Sequence, residues 1–252
     1  MLLAHALGFT QSDLIRNPGQ QIDTTIYERL LVRRIGHEPV ALIVGRREFW
    51  SMEFMVSPAS IIPRPDSETL IEAAVAAFGD RRQPTKIIDL GTGTGCLLLA
   101  LLQEFPTAFG IGVDLAPDAA ALAKANATQL GLRSRSAFLV GDWTEAFSGS
   151  FDLVISNPPY IPGPEVATLM PEVAHYEPRL ALDGGPDGYD AHRTILSDLN
   201  RLLEPNGIAI LELGRGQANY VSYLAREAGF QASFRMDLAE IPRAIVLNRP
   251  NY

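Results

Sequence analysis

Short apolar runs rich in β-branched residues alternate with segments of helical periodicity from about Lys86 onwards. The runs KIIDL, FGIGVDL, SAFLVGD, FDLVISN and IAILELG have the length of buried strands. This alternation predicts an α/β fold, an open twisted sheet that is mostly parallel and has helices on both faces. The final stretch, FQASFRMDLAEIPRAIVLNR, predicts two more strands that form a C-terminal antiparallel hairpin.

Two smaller segments precede this domain. Residues 1–36 have a helical pattern, but a segment of this length buries little apolar surface alone and has to pack against the rest of the chain. Residues 37–58 include PVALIVGRREFWSMEFMVSP, whose alternating and aromatic character predicts the strands of a β-hairpin linker. The sequence therefore divides into a short helical segment at 1–36, a linker at 37–58 and an α/β domain at 59–252.

The composition excludes several classes of protein. The chain has 252 residues and a net charge of −8, which opposes stable binding to nucleic acid and favours a small-molecule or protein partner. No apolar run has the length of a membrane span, and the first residues lack the features of a signal peptide. One cysteine, Cys96, and four histidines offer neither a disulfide framework nor zinc-ligand spacing. We therefore expect a cytoplasmic protein without a metal site, in which the Cys96 thiol has no assigned role.

A glycine-rich turn follows the first of these strands and opens a helix. The motif DLGTGTG spans Asp89 to Gly95, and its glycines allow the backbone to approach a ligand closely. A tight turn without a ligand would use the same residues. The spacing G-x-G-x-G differs from the G-x-G-x-x-G of dinucleotide-binding proteins, which counts against a dehydrogenase.

Acidic and aromatic residues end the next two strands. Asp114 is placed to accept ribose hydroxyl groups, and Asp142 to accept an adenine amino group. Trp143 either covers the adenine ring or packs in the core. The candidate cofactor-binding residues at these strand ends are Gly91, Thr92, Gly93, Thr94, Gly95, Asp114, Leu115, Asp142 and Trp143.

The motif SNPPYI ends the fourth strand with a stiff loop. Its two prolines fix two φ angles and hold Asn157 extended. The Asn157 side-chain oxygen and the Pro158 carbonyl then form a two-acceptor clamp for an –NH2 group, and Tyr160 can stack on its plane. Such a clamp orients a weakly nucleophilic nitrogen toward an electrophile without a titrating base. The candidate catalytic residues are Asn157, Pro158 and Tyr160, and Pro159 joins them in the candidate substrate site.

These motifs together resemble a known family. DLGTGTG, GVDLAPDAAALAKANA, GDW and FDLVISNPPYI resemble class I methyltransferases. The stretch GHEPVALIVGRREFWSMEFMVSPASIIPRPDSETLIE, with GGPDGYD and IAILELGRGQ, resembles in particular the HemK family of release-factor glutamine methyltransferases. The resemblance implies methyl transfer from S-adenosylmethionine to N5 of the glutamine in the Gly-Gly-Gln motif of peptide chain release factors. It also implies cofactor contacts from Arg64, Pro65 and Asn157, and a linker that closes over the site with Phe49 and Trp50.

Some of these assignments leave alternatives open. Phe49 and Trp50 can equally pack within the hairpin, and Arg64 can pair on the surface with Asp66 or Glu68. The HemK family usually begins with a longer helical docking domain. We therefore expect either a start further upstream or a shortened form of that domain.

Other functions share part of this pattern. DNA adenine-N6 methyltransferases also carry NPPY, but the acidic charge and the lack of a large insertion for target recognition disfavour that function. Ribosomal-protein glutamine N5-methyltransferases carry NPPY too, and resemble the linker less well. A non-catalytic S-adenosylmethionine-binding module would have no need of a two-acceptor clamp beside the methyl group.

Overall fold

The structure, a computed structural model, describes residues 1–250 except 17, 20, 80, 81, 146 and 148, and within these it contains ten α-helices and nine strands. The helices are α1 (Leu2–Leu7), α2 (Gln11–Arg16), α3 (Thr25–Ile35), α4 (Val40–Val44), α5 (Glu68–Phe78), α6 (Cys96–Glu104), α7 (Pro117–Gln129), α8 (Pro171–Ala174), α9 (Asp190–Leu202) and α10 (Ala218–Glu227). The strands are β1 (Arg46–Phe49), β2 (Met52–Met55), β3 (Lys86–Leu90), β4 (Phe109–Asp114), β5 (Ser136–Val140), β6 (Phe151–Ser156), β7 (Leu203–Glu212), β8 (Gln231–Met236) and β9 (Pro242–Asn248). Short 3-10 helices lie at Pro65–Ser67, Arg133–Arg135, Gly163–Thr168 and Arg179–Ala181. None of the helices in the described part of the chain has both the length and the apolar character that a membrane span needs.

Seven of these strands form one sheet in the order β5-β4-β3-β6-β7-β9-β8. Strands β3 to β7 are parallel, and β9 is antiparallel to both of its neighbours, β7 and β8. The prediction of a mostly parallel sheet with a C-terminal antiparallel hairpin is confirmed. The sequence did not indicate that the second strand of the hairpin, β9, lies inside the sheet and leaves β8 at the edge.

The order of the chain reverses between β3 and β6. From β3 the chain continues to β4 and β5 on one side, whereas β6 leads to β7 on the other side. Such a reversal opens a crevice at the carboxyl ends of the strands, where ligands bind in open α/β sheets. Leu90 pairs with Ser156 across β3 and β6, and the Ser156 hydroxyl donates to the Leu90 carbonyl at 2.6 Å. The glycine turn and the Asn-Pro-Pro-Tyr loop therefore leave the sheet side by side.

Alternate residues of the central strands face two separate hydrophobic cores. Ile87 of β3 belongs to the core beneath α5 and α6, and Ile88 belongs to the core beneath α9 and α10. Both side chains are fully buried. Burial on both faces explains why these strands are continuous apolar runs in the sequence and do not alternate with polar residues.

The N-terminal helices depend on polar contacts with the α/β domain. Helix α3, all of whose residues are described, contains no buried residue. The Tyr176 hydroxyl donates to the Gly36 carbonyl at 2.6 Å, just after this helix. Arg34 and Glu172 form an ion pair at 2.8 Å. The segment therefore packs as an accessory layer and not as an independent core, as its length predicts.

The linker prediction is partly wrong. Val40–Val44 form helix α4, and only β1 and β2 pair as an antiparallel hairpin, with Phe49 opposite Met52. Pro39 immediately precedes α4, and Gly45 ends it in a left-handed conformation with φ of 77°. These helix start and stop signals outweigh the β-branched composition of the segment VALIV.

Asn126 of α7 holds this hairpin against the glycine turn. Its fully buried side chain makes three hydrogen bonds. The Asn126 Oδ1 accepts from the Met55 amide at 2.8 Å, and Nδ2 donates to the carbonyls of Met55 and Thr94 at 3.1 Å and 2.9 Å. One side chain therefore connects the linker, a helix and the turn after β3.

We predict that Asn126→Ala lowers the free energy of unfolding by about 2–4 kcal/mol, because three backbone groups, one buried and two partly buried, lose their hydrogen-bond partner. Gln129→Ala is the matched control, since Gln129 donates to the Glu53 carbonyl at 3.0 Å from the same helix at an exposed position. Its expected cost is below about 1 kcal/mol. Urea unfolding of both variants measures the difference, and equal midpoints would contradict the role given to Asn126.

Candidate active site

A cleft of about 380 Å³ opens at the carboxyl ends of β3, β4 and β6, a size that suits a small-molecule ligand. Eight of the sequence-predicted residues line it, namely Gly91, Gly93, Asp114, Leu115, Asp142, Trp143, Asn157 and Pro159. The other predicted residues lie outside this lining, namely Thr92, Thr94, Gly95, Pro158, Tyr160, Arg64 and Pro65. The cleft also contains residues that the sequence did not indicate, from the segments 59–61, 178–185 and 190–194.

The turn after β3 has a backbone conformation that favours glycine. Gly91, Gly93 and Gly95 have φ angles of 72°, 54° and 80°. Gly91 and Gly93 face the cleft. A Cβ atom on Gly95 would lie 3.1 Å from the Cβ of Ala123, so this third glycine allows the turn before α6 to approach α7 closely.

Asp114 at the end of β4 connects this turn to the cleft. Its Oδ2 accepts from the Gly93 amide at 2.8 Å, and its Oδ1 accepts from the Ala116 amide at 2.9 Å. Each carboxylate oxygen has a further lone pair. Asp114 therefore shapes the turn and still offers acceptors to hydroxyl groups of a ligand in the cleft.

Thr92 and Thr94 support the turn from beneath, and both are buried. The Thr92 hydroxyl donates to Asp89 Oδ2 at 2.7 Å. Asp89 is fully buried, and its Oδ1 has no hydrogen-bond partner among the described residues. Burial raises the pKa of Asp89 to about 7, although the hydrogen bond from Thr92 acts in the opposite direction.

Trp143 has a place both in the cleft and in the core. It lines the cleft and is also packed, partly buried, against the core beneath α9 and α10. Its ring covers Gly91, where a Cβ atom would lie 3.6 Å from the Trp143 Cζ3. Asp142 and Leu115 are exposed at the rim of the cleft.

The Asn-Pro-Pro-Tyr loop presents two of its four residues to the cleft. Asn157 and Pro159 line the cleft, whereas Pro158 is buried. The Tyr160 hydroxyl turns away to Glu212 and donates to its Oε1 at 3.3 Å. Burial, together with the negative charge of Glu212, raises the pKa of Tyr160. In this structure Tyr160 supports the loop from behind and does not line the cleft, so its stacking on a substrate stays a prediction.

Two residues that hold this loop were missed by the sequence reasoning. Gly184 lies so close to the backbone of this loop that a Cβ atom on it would lie 2.8 Å from the Pro159 carbonyl and 2.9 Å from the Tyr160 Cα. Gln217 donates through Nε2 to the Tyr160 carbonyl at 3.0 Å and to the Gly188 carbonyl at 3.1 Å. Both lie in stretches that the family resemblance covers, GGPDGYD and GRGQ, but neither residue type by itself signals a function.

The linker residues implied by the resemblance do not line the cleft. Phe49 is buried and packs edge-to-face on Phe54, with ring centroids 6.3 Å apart. The Trp50 indole donates to Glu104 at 2.7 Å, so both aromatic residues pack the hairpin. Arg64 pairs with Glu177 at 2.6 Å, and not with Asp66 or Glu68, the surface pairing that the sequence left open as an alternative. Asp66 instead pairs with Arg243 at 3.3 Å, and Pro65 is exposed.

Comparison with known proteins agrees with this geometry. Residues 82–220 match the model of a methyltransferase domain, and residues 1–45 match that of a PrmC N-terminal domain. A solved methyltransferase from Pyrococcus furiosus superposes with a TM-score of 0.57 at 15% identity, covering 89% of this chain and 98% of that one. The ribosomal protein L11 methylase from Lactobacillus delbrueckii subsp. bulgaricus gives a TM-score of 0.58 at 15% identity, covering 77% and 83%. The fold and the cleft at the switch point thus define a class I methyltransferase.

Sequence relatives identify the family within this class. The release factor glutamine methyltransferase of Bradyrhizobium diazoefficiens is 44% identical over 97% of this chain and 85% of its own length. That of Rhodospirillum rubrum is 41% identical over 99% of this chain and 77% of its own length. The chain belongs to the release factor glutamine methyltransferase family.

The buried carboxyl of Asp89 predicts a pH-dependent stability. Its folded-state pKa of about 7 lies above the value of an exposed aspartate, so the folded protein keeps a proton that the unfolded chain loses between about pH 4 and 7. Raising the pH through this range therefore destabilises the folded state through Asp89. Asp89→Asn keeps an acceptor for Thr92 and cannot ionise.

We expect the stability of Asp89→Asn relative to the wild type to increase from pH 5 to pH 8, by at most ~1.4 kcal/mol per pH unit. Urea unfolding of the ligand-free proteins at several pH values measures this difference. A difference that stays constant with pH would show that Asp89 ionises normally.

Proposed function

We propose that the protein transfers a methyl group from S-adenosyl-L-methionine to the side-chain amide nitrogen, N5, of the glutamine in the Gly-Gly-Gln motif of peptide chain release factors. Membership of the release factor glutamine methyltransferase family supports this proposal. The observation that carries it is that Asn157 and Pro159 line the same cleft as the glycine turn and Asp114. A cofactor site and an acceptor for an amide group would thereby be combined in one cavity.

The residues of the cleft fit S-adenosyl-L-methionine. Because Gly91 and Gly93 have no side chains, a ligand can approach the backbone of the turn closely. The space at Gly93 is narrow, since a Cβ atom there would lie 3.4 Å from the Ser60 Cβ. Asp114 would accept from the ribose hydroxyls, Asp142 from the adenine amino group, and Trp143 would cover the ring. When bound, the cofactor supplies an electrophilic methyl group on a sulfonium.

Asn157 and Pro158 would act on the glutamine side chain. The amide nitrogen is a poor nucleophile because its lone pair is delocalised into the carbonyl. With its two N–H bonds donated to the Asn157 side-chain oxygen and the Pro158 carbonyl, the nitrogen is oriented toward the methyl carbon. The two acceptors would also stabilise the positive charge that develops on the nitrogen as it accepts the methyl group. The proton then leaves to solvent.

The described cleft supplies this orientation without a histidine that could act as a base. None of the four histidines belongs to its lining. His192, which follows the lining residue Ala191, is buried with its Nε2 at 3.0 Å from the Glu212 carbonyl, and burial lowers its pKa. The described residues contain no group of three or more His, Cys, Asp or Glu side chains that would hold a metal ion. Positioning by neutral acceptors is therefore the mechanism that these residues favour.

We also propose a division of labour along the chain. Residues 1–36 would dock the release factor, residues 37–58 would link, and residues 59–252 would carry the transfer. Support for docking comes from α3, where Val32 and Ile35 are 69% and 70% exposed although both are apolar. Exposed apolar side chains on one helix are characteristic of a surface that meets a protein partner. A translation factor is a cytoplasmic substrate, so we expect the reaction in that compartment.

The alternative substrates are less well supported. A protein with a net charge of −8 repels the phosphate backbone of DNA, which disfavours a DNA adenine as the substrate. A ribosomal-protein glutamine presents the same amide group, but the relatives with 37–44% identity are named as release factor methyltransferases. A pure cofactor-binding module would not need Asn157 in the cleft.

A transfer assay with S-adenosyl-L-methionine tests the function directly. Purified release factor, the same factor with the glutamine of its Gly-Gly-Gln motif changed to alanine, and duplex DNA are offered separately, and mass spectrometry locates the methyl group. We expect methylation of the first substrate alone. Methyl on adenine, or on the release factor lacking that glutamine, would overturn the proposal.

We predict that Asp114→Ala weakens S-adenosyl-L-methionine binding at least about tenfold, since it removes the candidate ribose acceptor and the two amide contacts that shape the turn. Asp118→Ala is the control, because Asp118 is an exposed carboxylate in the first turn of α7. Titration calorimetry measures both affinities. Equal affinities would remove Asp114 from the cofactor site.

We predict that Asn157→Ala retains cofactor binding and loses at least about a hundredfold in methyl transfer, as expected for a preorganised polar partner of the transition state. Asn206→Ala, at an exposed position in β7, is the control and should leave transfer unchanged. Single-turnover transfer and calorimetry separate the two effects. Unchanged turnover in Asn157→Ala would refute the two-acceptor clamp.

A further inference from the structure

Behind the cleft, Asn157 belongs to a buried chain of hydrogen bonds. Its Nδ2 donates to the Ser67 hydroxyl oxygen at 3.2 Å, and the Ser67 hydroxyl donates to Glu212 Oε2 at 2.5 Å. Ser67 and Glu212 are only 3% and 1% exposed. Glu212 is the last residue of β7, and Ser67 ends the 3-10 helix before α5. Neither residue lines the cleft, so neither is placed to touch a substrate.

The direction of these bonds is fixed by the number of protons available. A carboxylate has no proton to donate, so both oxygens of Glu212 act as acceptors, one for Ser67 and the other for Tyr160. The hydroxyl of Ser67 has a single proton, and this proton is donated in the hydrogen bond to Glu212. The Ser67 oxygen is then only an acceptor toward Asn157, and the group of Asn157 that satisfies it is the NH2.

Burial opposes the charge on Glu212, and two neighbouring groups favour it. Burial raises the pKa of Glu212 to about 7, whereas the Ser67 hydrogen bond and the positive charge of Arg243 oppose that rise. Arg243 itself is held by Asp237 at 3.0 Å and by Asp66 at 3.3 Å. At pH 8 Glu212 is therefore predominantly a carboxylate.

From this geometry we infer that Ser67 and Glu212 are positioning residues that set which end of the Asn157 amide faces the substrate. The two ends of an asparagine side chain have nearly the same shape, and only the hydrogen-bond network decides between them. With its NH2 committed to Ser67, Asn157 has its oxygen left to accept from a substrate –NH2. In the opposite orientation an NH2 group would meet an NH2 group, which excludes the hydrogen bond.

This inference rests on the proposed function, because it assumes that the Asn157 oxygen accepts a hydrogen bond from the –NH2 group of a glutamine substrate. It predicts that Ser67→Ala lowers kcat for release factor methylation by about 10- to 100-fold at pH 8, while the Kd for S-adenosyl-L-methionine stays within about threefold. Ser67→Thr keeps the hydroxyl and should restore most of the activity. Ser136→Ala is the matched control, since Ser136 is 1% exposed and donates to the Leu132 carbonyl at 3.0 Å, away from the cleft.

A merely structural role for Ser67 would give a different pattern. In that case Ser67→Ala and Ser136→Ala would both lower the midpoint of urea unfolding and both keep the wild-type kcat below that midpoint. That result would overturn the inference while wild-type methylation of the release factor left the proposed function intact. Failure of the wild type to methylate the glutamine would instead overturn the proposed function.

A measurement on the folded wild type makes the test independent of how the variants fold. In a 15N–1H spectrum of asparagine-labelled protein, the side-chain NH2 of Asn157 is identified by its loss in Asn157→Ala. We expect at least one of its two protons to exchange with solvent at least about tenfold more slowly than those of an exposed asparagine, because it is hydrogen-bonded to buried Ser67. Rapid exchange of both protons would overturn the inference.

Discussion

The parallel pairing of β3 with β6 is the constraint on which the site depends. Because Leu90 and Ser156 are paired, the backbone leaves the sheet at adjacent points into the glycine turn and into the Asn-Pro-Pro-Tyr loop. Neither loop forms the proposed site alone, since the glycine turn would hold the cofactor and the Asn-Pro-Pro-Tyr loop would accept hydrogen bonds from the substrate amide. A shift of this pairing by one residue would turn every side chain of one strand to the opposite face and separate the two loops. The two buried cores, one on each face of the sheet, make such a shift costly.

The acceptors proposed for the substrate amide are neutral, and two buried carboxyl groups lie behind the loops that line the cleft. Asn157 and the peptide carbonyl beside it do not titrate, so their acceptor strength does not change with pH. The carboxyls of Asp89 and Glu212 are both fully enclosed, each beneath one of the two loops. Their burial costs free energy, but it holds the neutral groups in one orientation. The buried carboxyl groups therefore lower the stability of the folded protein and at the same time fix the direction of the hydrogen bonds in the loops.

The sequence predicted the strands and the two loops because their signals are local. Strands buried on both faces are continuous apolar runs, and each proline fixes its own φ angle whatever its surroundings. The supporting contacts were missed because they join residues far apart in the chain: Ser67 lies 145 residues from Glu212, Arg64 lies 113 from Glu177, and Asn126 lies 71 from Met55. A serine or an asparagine carries no sign of such a partner. Helix α4 was missed for another reason, since Pro39 and Gly45 outweighed the β-branched residues between them.

The place of β9 in the sheet also has a consequence for biosynthesis. β7 and β8 do not pair with each other, and each forms its hydrogen bonds on this side of the sheet with β9. During translation, the edge of β7 therefore remains open until residues 242–248 have left the ribosome. Ile245 and Leu247 of β9 are fully buried, so the core beneath α9 and α10 is incomplete until then. The nascent chain therefore passes through a stage with an unpaired strand edge, a feature that favours aggregation of incompletely folded chains.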